Sequence, residues 1–373
     1  MEIKIGMVAP SKAGKTSLLA TIFSEMQLKL AGNPLGIQYW AENDRTRNAI
    51  TRVMAEYRAI TASDDIFATP QMSGNIETAD YRFSYTIPVR SGAPQRLNVF
   101  FKDFPGGLIG MSEFANEVGP FIRESDALLV PIPADLLMEW KDSVGVNDPM
   151  SIRRNMAATC MLRTNDTIAV IKDWIACRAA GKTDSLLIFV PVRCEAYFND
   201  NCGTTDKSDR LFEAVKELYI DGLNLSEADK RHIQIEIHAV DTYGTVELQS
   251  VELVETPNGD MLESKFRKRL SCGNEIRSKG AFDVLATVSE FELKKSAKAL
   301  EMEVDELKRK IADRSFFQNI FRMIANIFTT DEEKRLVVQN MVANEAAYEA
   351  ISVVSGLSSS DEYRRRVIER VGT

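Results

Sequence analysis

Ala9-Pro10-Ser11-Lys12-Ala13-Gly14-Lys15-Thr16 has the residue types and spacing of a phosphate-binding loop. It stands one residue off the pattern G-x-x-x-x-G-K-[S/T], with Ala9 in the place of the first glycine. In such a loop successive backbone N–H groups, here those of Ser11, Lys12, Ala13 and Gly14, wrap a β-phosphate. Lys15 then reaches the β/γ oxygens, the Thr16 hydroxyl ligates Mg²⁺, and Ser17 carries the loop into a helix. The alternative is a chance Gly-Lys-Thr at a strand-to-helix turn. A second group, Asp103-Phe104-Pro105-Gly106, has complementary chemistry. An acidic residue at a neighbouring strand end can hold Mg²⁺, and Gly106 can offer its N–H to a γ-phosphate. Without a partner motif, Asp103 would read as an ordinary turn residue.

The surrounding pattern supplies the elements that position both groups. Ile3–Val8 reads as a buried strand running into the first loop, and Ser17–Leu30 as a helix whose N-terminus faces the phosphates. After a turn at Asn33–Pro34 and Gly36, Asp44–Ile60 has a helical pattern, and Thr61–Ala79 is polar and reads as a mobile loop. Tyr81–Ile87 alternates with period two. With the turn Ser91–Pro94 and Leu97–Lys102 it forms an expected antiparallel hairpin that ends at Asp103. Ala127–Pro131 and Leu186–Val192 are continuous apolar runs, the pattern of parallel strands covered on both faces, and Ile233–Val240 is a sixth strand. Helices are expected over Asn155–Ala180, stopped by Gly181, and over Lys207–Tyr219, stopped by Gly222. The succession predicts an α/β fold, a doubly wound, mostly parallel six-stranded sheet of the P-loop NTPase type with one antiparallel member.

The order of these motifs resembles the Ras-like GTPases of the translation-factor-related P-loop class. More closely it resembles the prokaryotic branch called double-GTPase-like, found in bacterial signalling and defence gene clusters. The resemblance covers about residues 1–290. It rests on Ala9–Thr16, Asp103–Gly106, the strand end Val190-Pro191-Val192-Arg193-Cys194-Glu195, the segment Ala239-Val240-Asp241-Thr242-Tyr243-Gly244, and the hairpin that follows. In that family an Asn-Lys-x-Asp motif reads guanine. The resemblance gives Arg193 the stacking role and Glu195 the carboxylate role, puts Val192 where the asparagine belongs, and adds Asp241 to the nucleotide-binding set. A solvated Arg193/Glu195 pair on a loop is the other reading. The resemblance also implies Mg²⁺ and GTP or GDP as cofactors, with Thr16, Asp103 and a loop threonine at the metal. Thr61, Thr69 and Thr78 are candidates for that threonine, and Thr69, mid-loop, is the choice.

Catalysis departs from the family pattern. Gly107, followed by Leu108 and Ile109, stands where Ras-like enzymes place a water-positioning glutamine. Lys15, Thr16, Asp103 and Gly106 remain as catalytic candidates. Hydrolysis is therefore expected to be slow, or to use Glu113, a partner's residue or a potassium-like cation. Arg45, Arg47 and Arg52 could supply a charge in cis, although such arginines usually form a solvated helix face. The expected function is a GTP-binding switch whose mobile loops report nucleotide state. The rival readings are a P-loop ATPase or small-molecule kinase and a non-hydrolysing nucleotide-dependent scaffold. Against the ATPase or kinase reading, no acid-rich end to a hydrophobic strand is visible to supply an additional general base, and the motif order is GTPase-like.

Three units are expected: 1–250 as the nucleotide-binding domain, 251–277 as a β-hairpin extension, and 278–373 as a helical region. The hairpin is read from Val251–Thr256, the turn Pro257–Asp260, and Met261–Arg267. From about Phe282 to Arg370 the pattern is almost entirely helical. Leu293, Ala297, Leu300, Val304, Leu307 and Ile311 form a short heptad seam, read as a long helix packed on another helix of the same chain. The apolar stretch Ser315–Phe328 suits burial in a bundle, with a membrane surface or a partner's groove as the less favoured setting. The C-terminal helices are the expected route to a protein partner or a second copy. Arg364-Arg365-Arg366 reads as a solvated face.

A formal net charge of −8 argues against a general electrostatic grip on nucleic acid. The first strand begins at Glu2, leaving no room for a signal peptide, and no apolar run is long enough to span a bilayer. Cys160, Cys177, Cys194, Cys202 and Cys272 follow no metal-ligand spacing and read as reduced thiols of a cytoplasmic protein. With only His232 and His238, a histidine-based triad or zinc site is not expected.

Overall fold

The continuous apolar runs of the chain fold as the strands of one large sheet in the computed structural model. It describes residues 1–30, 36–62, 65–67, 78–111, 113–199, 206–269, 278–321, 331–358 and 363–368. In chain order come β1 (Glu2–Met7), α1 (Lys15–Leu30), β2 (Gln38–Ala41), α2 (Asp44–Ala62), β3 (Asp65–Phe67), β4 (Ala79–Ile87) and β5 (Gln95–Asp103). Then follow α3 (Gly119–Glu124), β6 (Ala127–Pro133), α4 (Ala134–Ser143), α5 (Pro149–Leu162), α6 (Thr164–Ala180) and β7 (Ser185–Val192). After these come α7 (Ser208–Val215), α8 (Asp221–Leu223), α9 (Glu227–Lys230), β8 (Ile233–His238), β9 (Val246–Thr256) and β10 (Gly259–Lys268). The chain closes with α10 (Ala281–Phe321), α11 (Asp331–Ser355) and β11 (Arg364–Ile368).

The large sheet has eight strands in the order β11-β8-β7-β6-β1-β5-β4-β2, not the six expected. β5, β1, β6, β7 and β8 run parallel, and β4 turns back on β5 as the expected antiparallel hairpin. Both additions are antiparallel edge strands, β2 on β4 and β11 on β8. β6 and β7 are buried along their whole length, as their unbroken apolar runs require of strands covered on both faces. One apolar core fills the α1, α2 and α10 side of the sheet, and the other fills the α4 to α7 side. β1 and β5 therefore deliver the ends of their strands, and with them the two chemistry-bearing loops, to one edge of this layered body.

Several local readings are corrected. The expected helix Asn155–Ala180 is two helices, because Arg163 takes a left-handed conformation (φ 43°) between α5 and α6. The helix after Lys207 passes through a π-helical turn at Lys216–Ile220 and stops at left-handed Asn224, beyond Gly222. Asp65–Phe67, expected in a mobile loop, pairs as β3 with β10 in a separate three-stranded sheet, β3-β10-β9. The C-terminal region is not wholly helical, since β11 returns to the large sheet. Arg364 and Arg366 are not a solvated face: both reach the buried Glu236 of β8.

The long helices behave as a pair of one chain, as the short heptad seam suggested. Leu293, Ala297 and Val304 of α10 are buried, and α10 packs along α11. Glu349 of α11 accepts from the backbone N–H groups of Arg90 and Ser91 in the β4–β5 turn. Among the described residues no helix is long and apolar enough to cross a membrane. The side chains of Ser315–Phe328 lie outside those described.

Glu25 of α1 ties the helix behind the phosphate loop to α10, accepting from Ala281 N at 3.4 Å and Phe282 N at 2.9 Å. Burial raises its pKa from 4.5 to about 7, opposed by those N–H donors and by Lys29, while Asp283 adds to the rise. A folded pKa above the unfolded one stabilises the fold below about pH 4.5, and that contribution is lost as pH climbs towards 7. Glu25→Gln keeps an acceptor oxygen and removes the titration. Its stability relative to the wild type, from urea unfolding, is expected to improve by on the order of 2 kcal/mol between pH 5 and pH 8.

Candidate functional site

β1 ends at Met7, and the chain then turns through residues 8–14 before α1 begins at Lys15. Two left-handed residues shape the turn, Lys12 (φ 66°) and Gly14 (φ 93°). Gly14 is needed for space as well as for φ, since a Cβ there would stand 2.9 Å from Val192 Cγ2. Ala9, in the place of the first glycine, is fully buried and so fills that position without loss of packing. The backbone N–H groups of Ser11, Lys12 and Gly14 make no backbone hydrogen bond among the described residues. They are the donors that a phosphate would use.

Lys15 departs from the simple picture of a solvent-facing lysine. It is buried, and its Nζ donates to the carbonyls of Ala9 at 2.7 Å and Pro10 at 3.1 Å. Burial lowers its pKa to about 8, with Asp103 pulling the other way. The ring of Phe104 lies 5.8 Å from the same nitrogen. Thr16 Oγ1 donates to Asp103 Oδ2 at 3.3 Å, joining the start of α1 to the end of β5. Gly106 closes the group from above: a Cβ on it would stand 2.3 Å from Ser11 N and 2.6 Å from Lys15 Nζ. Only glycine permits that approach of one loop to the other. Lys15, Thr16, Asp103 and Gly106 are thus brought together, with Ser11 to Ala13 beside them. Ser17 follows on the first turn of α1, its carbonyl accepting from Thr21 Oγ1.

The donor set suits Mg²⁺ more than a protein-caged metal. Among the described residues there is no cluster of three or more His, Cys, Asp or Glu side chains. One hydroxyl and one carboxylate are what a Mg²⁺ ion takes from a protein when phosphate oxygens and water complete its octahedron. Thr69 lies outside the described residues. Of the other two loop threonines, Thr61 is buried on α2, its hydroxyl donating to Tyr57 O. Arg45, Arg47 and Arg52 occupy the exposed face of α2, with Arg47 paired to Asp44. Glu113 is exposed.

The strand end β7 contributes a second group beside the loop. Arg193, left-handed at φ 65° and only 5% exposed, does not present a free stem for stacking. Its N–H donates to Thr242 Oγ1 at 3.0 Å, and its guanidinium pairs with Asp135 Oδ1 at 2.9 Å. Asp135 also accepts from Ser264 Oγ of β10. Glu195 is fully buried and accepts from the N–H groups of Tyr243 and Gly244. Burial raises its pKa to about 7, against those N–H groups and Arg193. The extra methylene of glutamate gives it the reach to hold this neighbouring segment. Asp241 is exchanged backbone-to-backbone with Lys279, and its Oδ2 accepts from Tyr363 OH at 3.0 Å. Tyr57 of α2 donates to Thr242 O, so α2 also closes on residues 241–244.

Asp135 was missed in the sequence, as were Ser264, Tyr57 and Tyr363. A signal existed for the first: it stands two residues past the wholly buried β6, so an acidic group does follow a hydrophobic strand. The other three come from distant segments and carry no local signature. The sequence matches no protein-family model and no curated protein.

Proposed function

We propose that the protein is a GTP-binding switch with slow or partner-dependent hydrolysis of GTP to GDP and phosphate. The observation that carries this reading is the meeting of Lys15, Thr16, Asp103 and Gly106 from two adjacent parallel strand ends. In that reading the loop amides and Lys15 hold the β- and γ-phosphates, and Thr16 and Asp103 hold Mg²⁺. When bound, the ion would neutralise charge on the phosphate oxygens. Gly106 would offer its N–H to the γ-phosphate, so the loop after Asp103 would be sensitive to its loss. Gly107 brings no side chain to an attacking water, which supports slow turnover. Mg²⁺ would take only two ligands from the protein and would depend on phosphate oxygens and water for the others, so metal and nucleotide binding would be coupled. The helical pair α10–α11, whose α10 docks on α1, would pass the state of the site to a protein partner or a second copy in the cytoplasm.

Guanine selectivity rests on Glu195 and on residues 241–244, and a fluorescent GTP analogue tests it. GTP and GDP are expected to displace the analogue at least tenfold more effectively than ATP, with single-turnover phosphate release slower than nucleotide exchange in EDTA. Displacement by ATP as effective as by GTP would remove the guanine reading and favour an ATPase or kinase. Asp135, beside the loop, is the one observation on that side, although its carboxylate is taken by Arg193 and Ser264. Asp103→Asn is expected to remove most of the Mg²⁺ dependence of binding, seen as similar affinities with and without EDTA.

A further inference from the structure

Between the outer face of the phosphate loop and the β9–β10 hairpin lies a cavity of about 180 Å³. It shares Ser11, Lys12 and Ala13 with the loop, but Lys15, Thr16 and Asp103 take no part in its lining. The cavity adjoins the phosphate-wrapping turn through residues 10–13. One part of its wall carries three basic side chains, Lys12, Arg163 and Arg193, of which Arg163 is paired with Asp166 at 2.7 Å. Lys12 makes no ion pair among the described residues. Arg193 is nearly buried, and its Nε has no hydrogen-bond partner among the described residues. A buried donor of that kind is costly unless an acceptor reaches it. The one carboxylate of the wall, Asp135, is already paired with Arg193 and accepts from Ser264.

Apart from Ser11 and Ser264, the rest of the wall is largely apolar. Leu136 comes from α4, Met161 from α5, and Met261 and Leu262 from β10. The two methionines can adjust to different shapes. The volume is below the range of roughly 300–1,000 Å³ typical for drug-sized ligands, so the occupant is small. We propose that this cavity binds a small amphipathic anion, a carboxylate or phosphate ester with a short apolar body. Its anionic end accepts from Arg193 and lies beside Lys12, and its body packs on Met161 and Met261. Two wall elements also bond to neighbouring segments. Arg163 donates to Ile109 O at 2.6 Å in the loop after Asp103, and β10 carries β3. The inference rests on the cavity and its charges, and does not require a nucleotide in the phosphate loop.

Cys160 supplies the test, because it is exposed and lines the cavity, whereas Cys177 is exposed and lies outside its lining. The full chain is labelled with iodoacetate or with neutral iodoacetamide, and each cysteine is followed by peptide mass. The iodoacetate-to-iodoacetamide rate ratio is expected to be at least threefold higher at Cys160 than at Cys177. Hexanoate and hexyl phosphate are expected to slow labelling of Cys160, hexanol at the same concentration is not, and Met261→Trp is expected to abolish that protection by filling the apolar wall. Stronger protection by either anion supports the proposal and assigns the headgroup. Equal ratios at the two cysteines, protection by hexanol equal to that by hexanoate, or protection that persists in Met261→Trp would each overturn it. If the tryptophan variant fails to fold, the ratio and the hexanol comparison on the wild type still decide.

Discussion

Lys15→Ala is expected to weaken binding of Mg²⁺–GTP by roughly 10²–10³-fold, the loss of two charge-assisted hydrogen bonds to phosphate. The structure adds a condition that a solvent-facing lysine would not. Without ligand, Nζ is buried against the carbonyls of Ala9 and Pro10, with its pKa lowered to about 8. Phosphate would give that charge a partner and raise its pKa on binding. Wild-type affinity is therefore expected to fall as pH rises above about 8, and the alanine variant to lack that slope. Because the buried ammonium is itself unfavourable, the variant is expected to melt no lower than the wild type. Loss of affinity could not then be ascribed to unfolding. Titration of both proteins at pH 7 and pH 9 checks each point, and unchanged affinity in Lys15→Ala would contradict the assignment of the loop.

Glu236→Ala is expected to destabilise the fold by about 3–5 kcal/mol, the cost of removing one side of a buried ion pair. Its carboxylate is fully buried, with His238 Nε2 at 2.8 Å, Arg364 Nε at 2.6 Å and Arg366 Nε at 3.3 Å. Burial alone would raise its pKa, but His238 and Arg364 pull it well below the ordinary carboxylate range. A depressed folded pKa gives stability that is present above the unfolded value and lost as pH falls below it. The difference between wild type and variant in urea unfolding is therefore expected to be full at pH 7 and to shrink below about pH 4. The same change should loosen β11, which reaches the phosphate-loop side of the molecule through Tyr363 and Asp241. A variant as stable as the wild type would mean that β11 is not held by this group.

The parts legible in the sequence were those whose chemistry is local. Ala9–Thr16 and Asp103–Gly106 each fit within eight residues, and the unbroken apolar runs of β6 and β7 can hardly be anything but buried strands. The seam of Leu293, Ala297 and Val304 was readable because helix packing repeats at a short period. Elements set by distant partners were not readable. β11 consists largely of arginines and becomes a strand because Glu236 waits for them on β8. β2 has four residues at a sheet edge, too few to show a period. β3 has three and exists only through β10. The break at Arg163 lies in an even helical pattern, and the side chain that binds Ile109 O comes from that position. The resemblance offered Arg193 a stacking role beside the reading of a solvated pair, and its burial against Asp135 was not legible because that partner stands 58 positions earlier and is itself held by Ser264 of the hairpin.

Calorimetric titration of the full chain with GTP, in the presence and absence of Mg²⁺, tests the central claim most directly. The expected result is saturable heat for one GTP per chain with Mg²⁺, much weakened by EDTA and absent in Lys15→Ala. No heat for GTP or ATP with Mg²⁺ present would contradict a nucleotide held by Lys15, Thr16, Asp103 and Gly106.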